Sequence, residues 1–148
     1  MGTTENKNLL LMKKFILLMA LSAVSVTGFG QSANRKLVDN YYRAYEVKDW
    51  HLLKSILSPA FRFTSPNDKP LDLEAYHQRC WPNSANTKKF NLEKVMMGKD
   101  DAFVTYNGYT NDGRIFRNTE YFKFKDGRIT ENNCYFGPGV SFPNSGKK

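Results

Sequence analysis

From Ala33 to about Leu57 the apolar residues recur at helical spacing. Leu37, Tyr41, Ala44 and Tyr45 fall on one face, with Arg35, Lys36, Asp39 and Arg43 on others. Lys48-Asp49-Trp50 interrupts the run. Asp49 is placed to cap a second, shorter helix carrying Leu52, Leu53, Ile56 and Leu57, which Ser58-Pro59 stops. Phe61-Arg62-Phe63-Thr64 alternates and predicts a short strand. Ser65 to Pro70 is a dense turn cluster. Asp72 is placed to cap a third helix from Leu73 to about Cys80, ended by Trp81-Pro82. Asn83 to Thr87 reads as a polar loop.

The rest of the pattern is strands between strong turns. Phe90–Met97 is the first and Ala102–Thr110 the second, separated by Gly98-Lys99-Asp100-Asp101. Asn111-Asp112-Gly113 leads to a third strand, Arg114–Phe124. Lys125-Asp126-Gly127 leads to a fourth, Arg128–Phe136. Gly137-Pro138-Gly139 ends the pattern, and 138–148 reads as a loose tail. Helices first and a meander afterwards predict an α+β domain over 31–137. Its curved antiparallel sheet would form a cone, covered by three N-terminal helices. The bottom of the cone is a natural place for a ligand.

The N-terminal segment changes where this domain would work. Met12-Lys13-Lys14 precedes a mostly apolar run, Phe15–Val26, and then the small-residue site Gly28-Phe29-Gly30. This is the layout of a secretory signal over 1–30, with Met12 read as the start. The run is shorter than the ~20 apolar residues of a membrane span. The expectation is an exported chain, periplasmic or secreted, with no stable span after cleavage. The formal net charge of +8 does not add a nucleic-acid partner. Basic residues beyond the signal are scattered, adjacent only at Arg35-Lys36, Lys88-Lys89 and Lys147-Lys148, and read as a solvated surface.

The third strand of the meander carries the candidate chemistry. Phe116, Asn118, Glu120, Phe122 and Phe124 share the more apolar face, opposite Ile115, Arg117, Thr119, Tyr121 and Lys123. An inward Glu120 would favour its neutral form and could exchange a proton near neutral pH. The alternative is a structural pair with Arg62 or Arg79. On the last strand Asn132, Cys134 and Phe136 share one face, and Ile129, Glu131, Asn133 and Tyr135 the other. Such a strand either lines a polar hollow or forms a wet edge. Tyr41, Tyr45, Trp81, Tyr106, Phe116, Phe122 and Phe136 are candidate apolar walls, Trp81 foremost. Cys80 and Cys134 are read as free thiols, although export would permit a disulfide. No histidine pair, Cys-x-x-Cys, phosphate loop or dinucleotide fingerprint is present, so neither metal nor cofactor is expected.

With its elements placed, the chain resembles the SnoaL-like branch of the nuclear-transport-factor-2-like superfamily. That group includes ketosteroid isomerases, polyketide cyclases and scytalone dehydratase. The resemblance rests on Asn40-Tyr41-Tyr42-Arg43-Ala44-Tyr45 through Asp49, on Phe61 to Pro66, on Glu120 to Ile129, and on Tyr135-Phe136-Gly137. Against the isomerases it implies Tyr41 and Glu120 as an oxyanion-binding pair. Ser65 stands where their carboxylate base would be, and Asp68 is the outside candidate for that base. The dehydratase chemistry would need histidine; His51 and His77 are read as exposed or structural.

The resemblance therefore implies a small, largely apolar ligand, possible catalysis by cofactor-free proton transfer, and a homodimer formed through the outer sheet face. Glu120, Tyr41 and Asp68 are the candidate catalytic residues. Ser65, Trp81, Tyr106, Phe116, Asn118, Asn132, Cys134 and Phe136 are the candidate ligand-binding ones. The rival is a non-catalytic binding or association module.

Overall fold

The computed structural model describes residues 30–136. The signal segment, its cleavage site before Gln31 apart from Gly30, and the tail lie outside the described residues.

Helix α1 (30–47) buries Val38, Tyr41, Tyr42, Ala44 and Tyr45. The buried stripe is wider than the spacing predicts, because Val38 and Tyr42 join it one residue to the side. Lys48 ends α1 in the left-handed region, at φ 61°. The Asp49 amide donates back to the Ala44 carbonyl at 2.9 Å, a Schellman-type closure. Asp49 then caps α2 (Trp50–Ile56), its side chain accepting from the Leu52 amide at 2.9 Å. One dipeptide thus closes one helix and opens the next.

Strand β1 (Leu57–Ser65) begins directly after α2 and is longer than predicted, extending through Ser58-Pro59. The predicted turn cluster contains a second strand, β2 (Asp68–Leu71), which pairs back on β1. Helix α3 (Leu73–Arg79) follows, with the Asp72 side chain accepting from the Ala75 amide at 2.9 Å. The predicted polar loop is a 3-10 helix, Trp81–Asn86. The meander is as expected: β3 (Thr87–Met97), β4 (Asp101–Thr110), β5 (Ile115–Lys125) and β6 (Arg128–Tyr135). Asp126 and Gly127, at φ 52° and 69°, form the tight turn between the last two, a geometry that favours glycine.

The strands form one curved, unclosed sheet in the order β2-β1-β6-β5-β4-β3. It is mixed, which corrects the antiparallel expectation: β1 lies parallel to β6. Alternation within a strand reports which face is buried and says nothing of its neighbour's direction. Register shifts interrupt β1, β3 and the β5–β6 ladder. Such bulges bend the strands and increase the local twist. The shift between Lys123 and Phe124 also corrects the face of Ile129. Phe124 pairs with Ile129 and Lys123 with Glu131, so Ile129 enters the core beside Asn132 instead of facing out.

Helices α1 and α3 cover the concave side. Lys48 anchors the end of α1 by donating to the carbonyls of Tyr45 and Glu46, each at 3.1 Å, and of Thr87. The Glu46 carboxylate accepts from the Phe90 amide at 2.6 Å. Backbone and side chain together hold α1 against the start of β3.

Candidate functional site

Between the helices and the concave sheet lies a cavity of about 290 Å³. α1 contributes Tyr41, Tyr42 and Tyr45; α3 contributes Tyr76; β4 and β5 contribute Tyr106, Phe116 and Glu120. Ser65, Asn67 and Asp68 form one side of its rim. Of the predicted site residues, Tyr41, Ser65, Asp68, Tyr106, Phe116, Glu120 and Phe136 line this one hollow.

Glu120 is buried, with 5% of its surface exposed. It does not pair with Arg62 or Arg79. Tyr42 Oη donates to Oε2 at 2.8 Å, Tyr106 Oη to Oε1 at 3.0 Å, and Asn132 Nδ2 to Oε2 at 3.3 Å. Burial pushes its carboxyl above the ordinary glutamate range, against the opposing pull of the bonds from Tyr42, Tyr106, Asn132 and Cys134. The anionic form is well solvated by neutral donors, yet no basic side chain bonds it among the described residues.

Tyr41 does not bond Glu120. Its hydroxyl meets that of Tyr76 at 2.5 Å, and Tyr76 meets Tyr45 at 2.6 Å. Three hydroxyls joined by two hydrogen bonds leave one proton free to donate elsewhere. Burial raises the Tyr41, Tyr45 and Tyr76 hydroxyls well above their usual range, so the trio is neutral. The cavity thus holds two adjoining polar clusters, a carboxyl fed by Tyr42 and Tyr106 and a chain of tyrosine hydroxyls.

At the rim, Asp68 accepts from Ser65 Oγ at 2.7 Å and pairs with Arg79 Nη2 at 2.8 Å. This ties the β1–β2 hairpin to α3. Phe116 lies over Gly108, its cross-strand partner. A Cβ at Gly108 would sit 2.2 Å from Phe116 Cζ, so only a glycine lets the ring lie there.

Four predicted ligand-binding residues do not line the cavity. Trp81 stands behind the wall, its ring 5.0 Å from Tyr45 and 5.4 Å from Trp50. Asn118 donates to Tyr106 Oη at 3.3 Å and to Cys134 Sγ at 3.6 Å, and so supports a wall residue without lining the cavity itself. Asn132 supports Glu120, and Cys134 is buried close to it. Cys80 and Cys134 are free, and Cys80 reaches the cavity. His77 stacks on Trp50 at 4.0 Å.

Sequence reasoning missed Tyr42 and Tyr76. Tyr42 carries a signal, since Val38, Tyr42 and Tyr45 also keep helical spacing. Tyr76 sits in a helix too short to show a period. Among the described residues no cluster could hold a metal ion, and no helix is long and apolar enough to cross a membrane.

The family model for the SnoaL-like domain matches residues 38–132. No curated protein matches the chain. Solved structures share its shape. An NTF2-like protein of unknown function from Cytophaga hutchinsonii is 21% identical, with a TM-score of 0.58, covering 70% of this chain and 89% of its own. An LEH-like epoxide hydrolase from M. tuberculosis is 12% identical, with a TM-score of 0.63, covering 72% and 84%. A de novo designed protein with a curved β-sheet is 17% identical, with a TM-score of 0.65, covering 73% and 88%. At these identities the likeness is one of fold, and function has to be argued from the site.

Proposed function

The chain belongs to the SnoaL-like domain family, and from that premise we propose that it is an exported domain that binds a small, largely apolar molecule and transforms it by cofactor-free proton transfer. One observation carries this reading: Glu120 lies at the floor of an aromatic cavity, its charge balanced by no basic group that bonds it among the described residues. A buried carboxyl with a raised pKa is suited to exchanging a proton near neutral pH.

In this reading a ligand oxygen takes the spare proton of the Tyr41–Tyr76–Tyr45 chain as a hydrogen bond. Glu120 exchanges a proton with the ligand through Tyr42 or Tyr106, which bond the carboxyl and line the cavity. Asp68, oriented by Ser65 and Arg79, is the second carboxylate and accepts a proton from the ligand's carbon skeleton. Isomerisation, dehydration and cyclisation all reduce to such a pair of transfers.

A non-catalytic binding module is the second reading. It is favoured by Ser65 at the place where a base is expected, and by the donors already crowding Glu120. Native mass spectrometry of envelope-purified protein would identify what copurifies. Turnover of that molecule by the wild type, abolished in Glu120→Gln with the fold retained, is the expected result; no turnover by the wild type would leave the binding module.

The proposal includes a homodimer through the outer sheet face. Met96 and Phe103, cross-strand partners, are exposed there, and Phe103 packs on Tyr121 with ring centroids 4.8 Å apart. Sedimentation of wild type against Phe103→Asp tests it; a monomeric wild type overturns it.

A further inference from the structure

The cavity is acidic inside, although the chain carries a formal net charge of +8. Among the described residues two carboxyl side chains reach it, Glu120 at the floor and Asp68 at the rim, and no lysine, arginine or histidine does. Asp68 has its cation in Arg79, whose side chain is 58% exposed. Among the described residues Glu120 has only Tyr42, Tyr106, Asn132 and the nearby Cys134 thiol. The other titratable groups facing it, Tyr41, Tyr45 and Tyr76, are neutral. Lys48, at the end of the same helix, spends its ammonium on backbone carbonyls. A buried carboxylate without a cation either surrenders its charge or waits for one.

The rest of the wall determines which cation would suit. The acceptor capacity of Glu120 is taken up by its own neighbours, so an entering N–H group would find few lone pairs. Aromatic rings surround the space instead: Tyr41, Tyr42, Phe90, Tyr106 and Phe116 all line it. Ring faces attract a cation within ~6 Å without needing hydrogen bonds, most strongly where water is excluded. At about 290 Å³ the cavity is at the small end of ligand sites, which run from ~300 to ~1,000 Å³.

We propose that the cavity selects a small alkylated ammonium ion, seated against the aromatic rings and balanced by Glu120. This rests on reading the cavity as a small-molecule site and names the ligand's class: largely apolar, with a diffuse positive charge and no N–H donor. Binding such a cation fixes Glu120 in its ionised form. Because burial raises that carboxyl, affinity grows with pH until it is ionised in the free protein.

The test uses the full chain and two molecules of the same shape, phenyltrimethylammonium and its neutral carbon analogue tert-butylbenzene. Calorimetry or ligand-detected NMR at pH 8 should give about tenfold tighter binding of the cation. The preference should shrink at pH 5 and in Glu120→Gln, where the rings remain but the balancing carboxylate is lost. Equal binding of the two, or tighter binding of tert-butylbenzene, overturns the ammonium class and leaves the small-molecule reading intact. Binding of neither overturns both. The wild-type comparison decides the matter even if Glu120→Gln does not fold.

Discussion

Tyr42 on the first helix and Glu120 on the fifth strand, 78 residues apart, meet in a buried hydrogen bond of 2.8 Å. This bond joins the helical layer to the sheet at the cavity floor. It supplies one of the donors that allow a carboxylate to exist there. Tyr42→Phe keeps the ring and removes the donor. The expected cost is about 1–3 kcal/mol at neutral pH, with a further rise of the Glu120 pKa. Urea denaturation at pH 5 and pH 8 checks this, and the cost should be the smaller at pH 5, where more of the raised carboxyl is neutral and needs the donor less.

Glu120 should also govern how stability depends on pH. Its carboxyl titrates higher in the folded than in the unfolded chain. The stability it contributes is fully present below the ordinary glutamate pKa of ~4.3. It is lost as pH rises through the raised folded value. The difference between wild type and Glu120→Gln isolates this term, since other groups titrate in both. The wild type should lose stability relative to the variant as pH rises above the ordinary glutamate range; a constant difference would contradict the raised pKa.

Gly108 should matter because of Phe116. Gly108→Ala forces the Phe116 ring off the strand, since its Cζ, Cε1 and Cε2 would lie 2.2–2.6 Å from the new Cβ. The ring end is free to move, so the expected loss is about 1 kcal/mol. Ligand affinity should fall with it, because Phe116 is part of the cavity wall. In a Phe116→Ala background the same change should cost nothing, a double-mutant cycle that assigns the effect to this contact.

Lys48 separates backbone from side chain at the end of α1. Lys48→Gly relieves the φ of 61° and loses the ammonium bonds to Tyr45, Glu46 and Thr87. Lys48→Ala loses the same bonds and keeps the strain. Alanine should therefore be less stable than glycine there by about 1 kcal/mol, measured by thermal unfolding.

Cys80 gives a probe of the cavity. Its thiol is pushed up to about 11, first by burial and then by the Asp68 charge. Alkylation by iodoacetamide should be slow at pH 7.5 and rise about tenfold per pH unit towards that value. A bound ligand should slow it further, followed by mass spectrometry of the intact chain.

The helices, the capping roles of Asp49 and Asp72, the four-strand meander and the inward face of β5 are legible in the sequence. Each depends on local chemistry: apolar spacing, a side chain that accepts an amide, a turn that favours positive φ. That Glu120 faces inward follows from the same alternation. The parallel pairing of β1 with β6, the strand inside the Ser65–Pro70 cluster and the inward turn of Ile129 are not legible. They are set by which strand lies alongside and where a bulge shifts the register.

The sequence by itself determined an α+β chain with one carboxyl on a buried face. Only the tertiary structure decided what that carboxyl touches. Two neighbouring tyrosines on α1 have different fates: Tyr42 reaches Glu120, whereas Tyr41 joins Tyr76 and Tyr45. Residues one apart on a helix point about 100° away from each other. Partner choice at the floor of the cavity therefore depends on how α1 is seated over the sheet. The contacts of Glu46 and Lys48 with the start of β3 help fix that seating, and no local pattern encodes it.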